Sequence, residues 1–105
     1  MTMRFRSLVV LAAALSLAGA VGFAQSSGEA SYKAKCAICH GAAGTPSAGM
    51  AKAMGIKPNT DPAIKALTVE QMISVVKNGK GKMKPVAGLT DAQIKAAVAF
   101  YRELQ

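Results

Sequence analysis

The sequence contains few of the residues that usually fill a protein core, and few of those that usually carry chemistry. It has no tryptophan, two tyrosines, three phenylalanines, two cysteines and one histidine among 105 residues. Two separate sites based on thiols or imidazoles are therefore excluded. All such chemistry is confined to one stretch, K-A-K-C-A-I-C-H-G, which contains Cys36, Cys39 and His40.

The chain has one long uncharged hydrophobic run, and it lies at the N-terminus. Residues 7–23 follow two arginines, and Gly22 and Ala24 are the small residues at the two positions that a signal peptidase inspects. This is the layout of a secretory signal peptide. The run is shorter than the ~20 residues that span a bilayer. We predict a signal peptide at residues 1–24, cleaved after Ala24, and a mature domain at residues 25–105 in the periplasm. A retained membrane anchor and cleavage after Ala20 are the alternatives.

The mature domain would be small and basic. Cleavage would leave 81 of the 105 residues and lower the formal net charge from +8 to +6. A domain of this size lies near the lower limit of what a hydrophobic core alone can hold, and small folds usually add disulfides, a metal or another staple. We therefore expect another group to occupy the centre.

The mature sequence has helical patterns and no credible strand. A first helix is predicted from about Gly28 to Ala37. Two T-x-x-Q capping boxes, at Thr68 and at Thr90, predict two more helix starts, each followed by an apolar stripe. These helices should end near Asn78 and Glu103, and Asp61-Pro62 predicts a further short turn. The stretches from Gly41 to Asn59 and from Gly79 to Gly88 are predicted as loops.

Several chemistries use paired cysteines, and most fit this sequence poorly. A redox dithiol normally opens a helix packed on a sheet, whereas these cysteines are predicted at a helix end, where the dipole does not favour a thiolate. Structural zinc needs four ligands, and Cys36, Cys39 and His40 supply three at most. A disulfide within C-x-x-C closes too small a loop to stabilise a domain.

C-x-x-C-H is the attachment signature of c-type haem. The two thiols form thioethers with the two haem vinyl groups, and the adjacent histidine binds the iron. One covalent haem would also supply the apolar centre that the sequence lacks. We predict thioether bonds from Cys36 and Cys39 and proximal ligation by His40.

From Gly28 to Leu104 the chain resembles the class I c-type cytochromes. Gly28 and Tyr32 resemble the glycine and the aromatic residue of that family's N-terminal helix, and V-A-F-Y-R-E-L resembles its closing helix. The resemblance implies an all-α fold of three to four helices wrapped around one covalently bound haem. It also implies that Phe100 or Tyr101 crosses Tyr32 over Gly28, and that His40 donates a hydrogen bond to the carbonyl of Pro46.

The second axial position of the iron can be filled by a methionine or a lysine, or it can stay open. Met72 lies on an apolar helix stripe, whereas Met50 and Met54 can be either core residues or ligands. Met83 has no apolar stripe to join, so we predict it as the distal ligand. The N-G-K-G-K-M segment resembles the family's methionine loop, although Lys84 separates Met83 from the proline that many relatives have directly after it.

These residues predict an electron carrier and not an enzyme, because two axial ligands leave no free iron position. Five lysines flank the proposed site and predict redox partners with acidic docking faces: Lys33, Lys35, Lys80, Lys82 and Lys84. Nucleic acid is a poor alternative because charge is the only feature that favours it. We expect a monomer with no stable membrane insertion after leader removal. A five-coordinate haem sensor or weak peroxidase, and a membrane-tethered cytochrome subunit, are the remaining alternatives.

Overall fold

The computed structural model describes residues 27–104, and in this range the chain consists of helices joined by loops. We label the helices α1 (27–35), α2 (Ala37–His40), α3 (Ala48–Met54), α4 (Pro62–Lys65), α5 (Val69–Asn78) and α6 (Asp91–Glu103). The same range contains no strand, only an isolated antiparallel bridge between Lys80 and Met83. The all-α prediction is confirmed, with α1, α3, α5 and α6 as the longer helices. The predicted signal peptide lies outside the described residues.

Local side-chain caps begin the later helices where the sequence predicts. Thr68 Oγ1 accepts a hydrogen bond from the Gln71 amide at 3.1 Å, and Gln71 Oε1 accepts one from the Thr68 amide at 2.9 Å. Thr90 and Gln93 make the same pair of bonds at 3.2 and 2.8 Å. Asp61 caps α4 by accepting from the Ala63 amide at 2.9 Å. These predicted helix starts are confirmed because each depends only on residues within one turn.

Helix α3 lies where the sequence analysis predicts only a loop, so that part of the prediction is wrong. Ser47 caps the helix by accepting a hydrogen bond from the Met50 amide at 3.2 Å, and Gly55 ends it in the left-handed conformation with φ +67°. The signal is weak because Met50 stands where a capping box has Glu or Gln. The surrounding Gly, Ser and Pro residues also resemble loop composition.

The apolar core is small and lies between α5 and α6. Met72, Ile94 and Val98 form its buried centre, surrounded by partly buried apolar residues from α4 to α6 and their connecting loops. Arg102 Nη1 donates a 2.7 Å hydrogen bond to the Leu67 carbonyl and so ties α6 to the loop before α5. The placement of Met72 as a core residue is confirmed.

Helices α1 and α6 meet at Gly28. A Cβ atom built on Gly28 would lie 2.3 Å from the Ala96 carbonyl oxygen and 3.3 Å from Phe100 Cβ. The Tyr32 ring packs against Phe100 at a centroid distance of 5.4 Å and against Tyr101 at 5.9 Å. Both aromatic residues of α6 therefore contact Tyr32, as the family resemblance implies. This contact fixes the end of α1 that leads into the cysteine motif.

Candidate functional site

Cys36, Cys39 and His40 lie on a single turn that continues α1 after a local break. Cys36 has φ −117° and ψ −39°, outside the regular helical range, although its amide still bonds to the Tyr32 carbonyl at 2.8 Å. The His40 amide then bonds to the Cys36 carbonyl at 3.0 Å. The predicted helix end at Ala37 is therefore wrong, because α2 adds one turn through His40. That turn brings the three residues together.

The two cysteines are free thiols of intermediate exposure. Burial raises the pKa of the Cys36 thiol above its ordinary value, so the protonated form is favoured and an activated thiolate is not. Among residues 27–104, no group of three or more His, Cys, Asp or Glu side chains is arranged to hold a metal ion. The redox dithiol and zinc alternatives therefore gain no support.

The imidazole of His40 lies in a partly buried position. Burial lowers its pKa, which favours the neutral ring, the form that binds a metal. Its Nδ1 atom is buried and has no hydrogen-bond partner, so the implied bond to the Pro46 carbonyl is not formed. The loop that contains Pro46 instead approaches the backbone at Gly41, where an added Cβ would lie 2.0 Å from the Thr45 oxygen.

An aromatic cluster supports the turn from the side of α1 and α6. The Tyr32 hydroxyl donates a 2.6 Å hydrogen bond to the carbonyl of Gly41, the residue after His40. The Tyr101 ring stacks on Tyr32 and meets the His40 ring edge-on at a centroid distance of 5.7 Å. The family resemblance predicts only the packing of Tyr32 against α6, and this bond was not predicted. The signal was the tyrosine itself, because a buried phenol needs a hydrogen-bond partner.

Met83 lies in a tight turn that satisfies both of its backbone polar groups. Its amide donates to the Lys80 carbonyl at 3.0 Å, and its carbonyl accepts from the Lys80 amide at 2.9 Å. Gly79 and Gly81 have φ +77° and +58°, values that favour glycine. A Cβ on Gly79 would also lie 2.7 Å from the Met83 oxygen. The turn therefore holds the Met83 backbone in place, and the residue is half-buried.

The loop around Met83 reaches elements on both sides of it. Lys82 Nζ donates a 3.0 Å hydrogen bond to the Ala53 carbonyl in the last turn of α3. At the other end of the loop, a Cβ on Gly88 would lie 3.5 Å from Nζ of Lys35, next to the cysteine turn. The Val86 amide anchors the middle to the Val76 carbonyl of α5 at 2.9 Å. Met50 and Met54, the other candidate ligands, lie half-buried on α3.

The residues of this site are of the types that a covalently attached haem requires. The two free thiols and the neutral imidazole of His40 share one turn. Met83, whose side chain is a thioether, lies on a separate turn that fixes its backbone. Ile38, between the two cysteines, is 80% exposed. The donor set and the exposed apolar surface both fit a haem.

Comparison with known proteins supports the same cofactor. The family model described as cytochrome c oxidase, cbb3-type, subunit III matches residues 23–100. The chain is also 37% identical over 103 residues to cytochrome c-555 of Chlorobaculum tepidum. That alignment covers 92% of this chain and 93% of the relative. Both matches include the C-A-I-C-H stretch and the segment around Met83.

Proposed function

The chain belongs to the class I c-type cytochromes, electron carriers with one haem c, and we propose that His40 and Met83 are the two axial ligands of its iron. The observation that supports this most directly is the single turn that presents two free thiols and a neutral imidazole together. When bound, the haem iron supplies a one-electron couple between its ferric and ferrous states. The residues of this chain hold, orient and cover that group.

Cys36 and Cys39 are proposed to anchor the cofactor covalently. Each thiol would hold the haem through a thioether formed by addition of its S–H across one vinyl group, an addition that releases no small molecule. His40 follows the second thioether directly and is held on the same turn by its bond to the Cys36 carbonyl. Its neutral imidazole can donate a lone pair to the iron.

Met83 is proposed to supply its thioether sulfur as the second protein ligand that would hold the iron. A methionine ligand raises the reduction potential relative to more electron-donating ligands. With both axial positions filled, no position is free for oxygen or peroxide, which favours electron transfer over catalysis. The turn between Lys80 and Met83 supports this role because it fixes the backbone from which the sulfur extends.

The docking surface for redox partners is proposed to combine an apolar contact with positive charge. Ile38 is the exposed apolar residue at the cysteine turn, and Lys35, Lys80 and Lys84 are exposed. The positive charge of Lys33 is offset by Glu29, whose carboxylate lies 2.7 Å away. An acidic face on a reductase or oxidase would complement this surface, and the association rate would fall with added salt.

The periplasm is the proposed location, reached through a signal peptide at residues 1–24 and followed by a monomeric domain at residues 25–105. The leader sequence supports this location. Covalent haem attachment also agrees with it, because an unmodified pair of thiols would oxidise to a disulfide in the periplasm. Within residues 27–104, no helix has both the length and the hydropathy that crossing a bilayer requires.

The ligand assignment is tested with a matched pair of methionine variants in the purified holoprotein. Met83→Leu should remove the weak long-wavelength sulfur-to-iron absorption band of the ferric protein and lower its reduction potential. It should also allow external ligands to bind. Met54→Leu, a half-buried methionine on α3, should change none of these. If Met83→Leu keeps the band and the potential, another residue is the ligand.

Intact mass of the native protein tests attachment and leader removal together. We expect the mass of residues 25–105 plus one haem, retained under denaturing conditions. A haem-free mass with alkylatable thiols would refute the attachment. Absence of the sulfur band from the unaltered protein would favour a five-coordinate sensor or weak peroxidase.

A subunit of a larger redox complex is a second candidate function. The observation that favours it is the family model's description as an oxidase subunit. Fractionation of native cells would separate the two functions. A free carrier should appear in the periplasmic extract, whereas a subunit should remain in a membrane complex after mild detergent extraction.

A further inference from the structure

We propose that Tyr32 is a positioning residue for His40, because its buried hydroxyl holds the backbone directly after the histidine and so sets the orientation of the imidazole plane. The inference rests on the proposed function in one respect, namely that His40 binds the iron. Tyr32 itself lies on α1 and is not a ligand. Its effect on the site passes through Gly41 and through Tyr101.

The hydroxyl of Tyr32 is more than a feature of core packing. The residue is 1% exposed, so its hydroxyl cannot bond to bulk water and needs a partner inside the protein. That partner is the Gly41 carbonyl, at 2.6 Å. A phenylalanine would fill nearly the same ring space without this requirement. The hydroxyl therefore adds a specific link between α1 and the residue after the proposed ligand.

Gly41 is the residue at which such a link has most effect. It has φ +81° and ψ 153°, a conformation that glycine adopts readily and other residues do not. A glycine also has the greatest backbone freedom unless other contacts remove it. Here the amide is bonded to the Ala37 carbonyl at 2.8 Å and the carbonyl to Tyr32. The same carbonyl also accepts from the Gly44 amide at 3.2 Å. Loss of the phenol bond would remove the shorter of its two bonds and the one that ties it to α1.

The ring of Tyr32 supports the imidazole by a second route. Tyr101 stacks on Tyr32 with an interplanar angle of 24° and a centroid distance of 5.9 Å. Tyr101 in turn meets the His40 ring at an interplanar angle of 65°. One residue, Tyr32, thus contacts both the backbone that follows His40 and the ring that packs on its imidazole.

The orientation of a histidine plane on a ferric haem has a spectroscopic signature. It determines how the unpaired electron is distributed over the macrocycle, and therefore how the paramagnetic shifts of the four haem methyl protons are ordered. A residue that only stabilises the fold changes the melting temperature without reordering these shifts. The methyl shift pattern therefore distinguishes positioning from packing.

The test compares Tyr32→Phe with Tyr101→Phe in the ferric holoprotein. The second variant is a matched control, because Tyr101 packs in the same cluster but its hydroxyl makes no hydrogen bond within the described part of the chain. We expect Tyr32→Phe to change the spread and order of the methyl shifts and to move the reduction potential, and Tyr101→Phe to keep the order. An unchanged order in Tyr32→Phe would overturn the inference, even if that variant melts at a lower temperature.

A graded variant covers the case in which Tyr32→Phe does not mature. The chain has two tyrosines, so fluorotyrosine incorporated into the Tyr101→Phe protein occupies position 32 alone. Fluorine makes the phenol a stronger hydrogen-bond donor without changing the ring packing. We expect a shift of the methyl pattern that grows with the number of fluorines. No shift across the series would refute the role of the hydroxyl.

The same spectra separate failure of this inference from failure of the ligand assignment. The ferric protein with an iron-bound histidine shows strongly shifted imidazole proton resonances, which His40→Ala should abolish. If those resonances are absent from the unaltered protein, the proposed function fails. If they are present and the methyl pattern does not depend on Tyr32, only the positioning role fails.

Discussion

The contact between α1 and α6 at Gly28 makes a quantitative prediction for Gly28→Ala. The new Cβ would lie 2.3 Å from the Ala96 carbonyl oxygen and 2.8 Å from its carbon. Both atoms belong to the backbone, so no side-chain rotation can relieve the overlap and the helices must move apart. Overpacking of this kind costs about 1–3 kcal/mol, and an unyielding backbone neighbour places the cost near the upper end.

Part of that cost is offset, because alanine favours a helix over glycine by about 1 kcal/mol. The expected net loss is about 2 kcal/mol, which lowers the melting temperature of a domain of this size by roughly 10 °C. Thermal unfolding of the holoprotein, followed by circular dichroism, measures it. Gly49→Ala in α3 is the control, since its new Cβ meets nothing within 4 Å, and it should leave the melting temperature equal or higher. A Gly28→Ala protein as stable as the unaltered one would refute the close approach.

Three further predictions concern a cap, an ion pair and a buried phenol. Thr90→Ala removes the hydrogen bond to the Gln93 amide and should cost about 1 kcal/mol in denaturant unfolding; no loss would mean that α6 starts independently of its cap. Lys77→Gln breaks an ion pair with Asp91 whose side chains are 42% and 85% exposed, so the unfolding free energy should change by less than about 1 kcal/mol. Burial, with smaller effects from Tyr101 and Cys36, raises the pKa of Tyr32 from 10.0 to about 12. The folded protein therefore binds the Tyr32 proton more tightly than the unfolded chain does. The resulting contribution to the free energy of unfolding is complete below pH 10 and is lost as the pH rises towards about 12. That part of the alkaline loss should be absent from Tyr32→Phe.

The predicted helices were confirmed where the sequence carries a complete local signal, and they were missed where that signal is absent or incomplete. The helix starts at Thr68 and Thr90 were predictable because both partners of each cap lie within one turn. Helix α3 was missed because its cap, Ser47, has no reciprocal partner three residues later. The extension of the cysteine turn to His40 was missed for a similar reason. It depends on the break at Cys36, which no residue type in the motif indicates.

The candidate site likewise has residues that the sequence identifies and contacts that it does not. Cys36, Cys39 and His40 are recognisable from spacing alone, because thioether attachment and ligation by adjacent residues need that spacing. The contacts that hold Met83 were not predictable in detail, since Lys82 bonds to Ala53 across 29 positions of sequence. The expected bond from His40 to Pro46 was wrong: Nδ1 of His40 has no hydrogen-bond partner, and the loop approaches the Gly41 backbone.

The amino-acid sequence by itself determined the helical class, the later helix starts and the spacing of the two cysteines and the histidine, because each of these depends on residues a few positions apart. Only the tertiary structure decided what surrounds that turn. The stack of Tyr101 on Tyr32, and its edge contact with His40, require α1 and α6 to cross at Gly28. The phenol of Tyr32 then reaches the Gly41 carbonyl, nine positions along the chain, only because that crossing buries it.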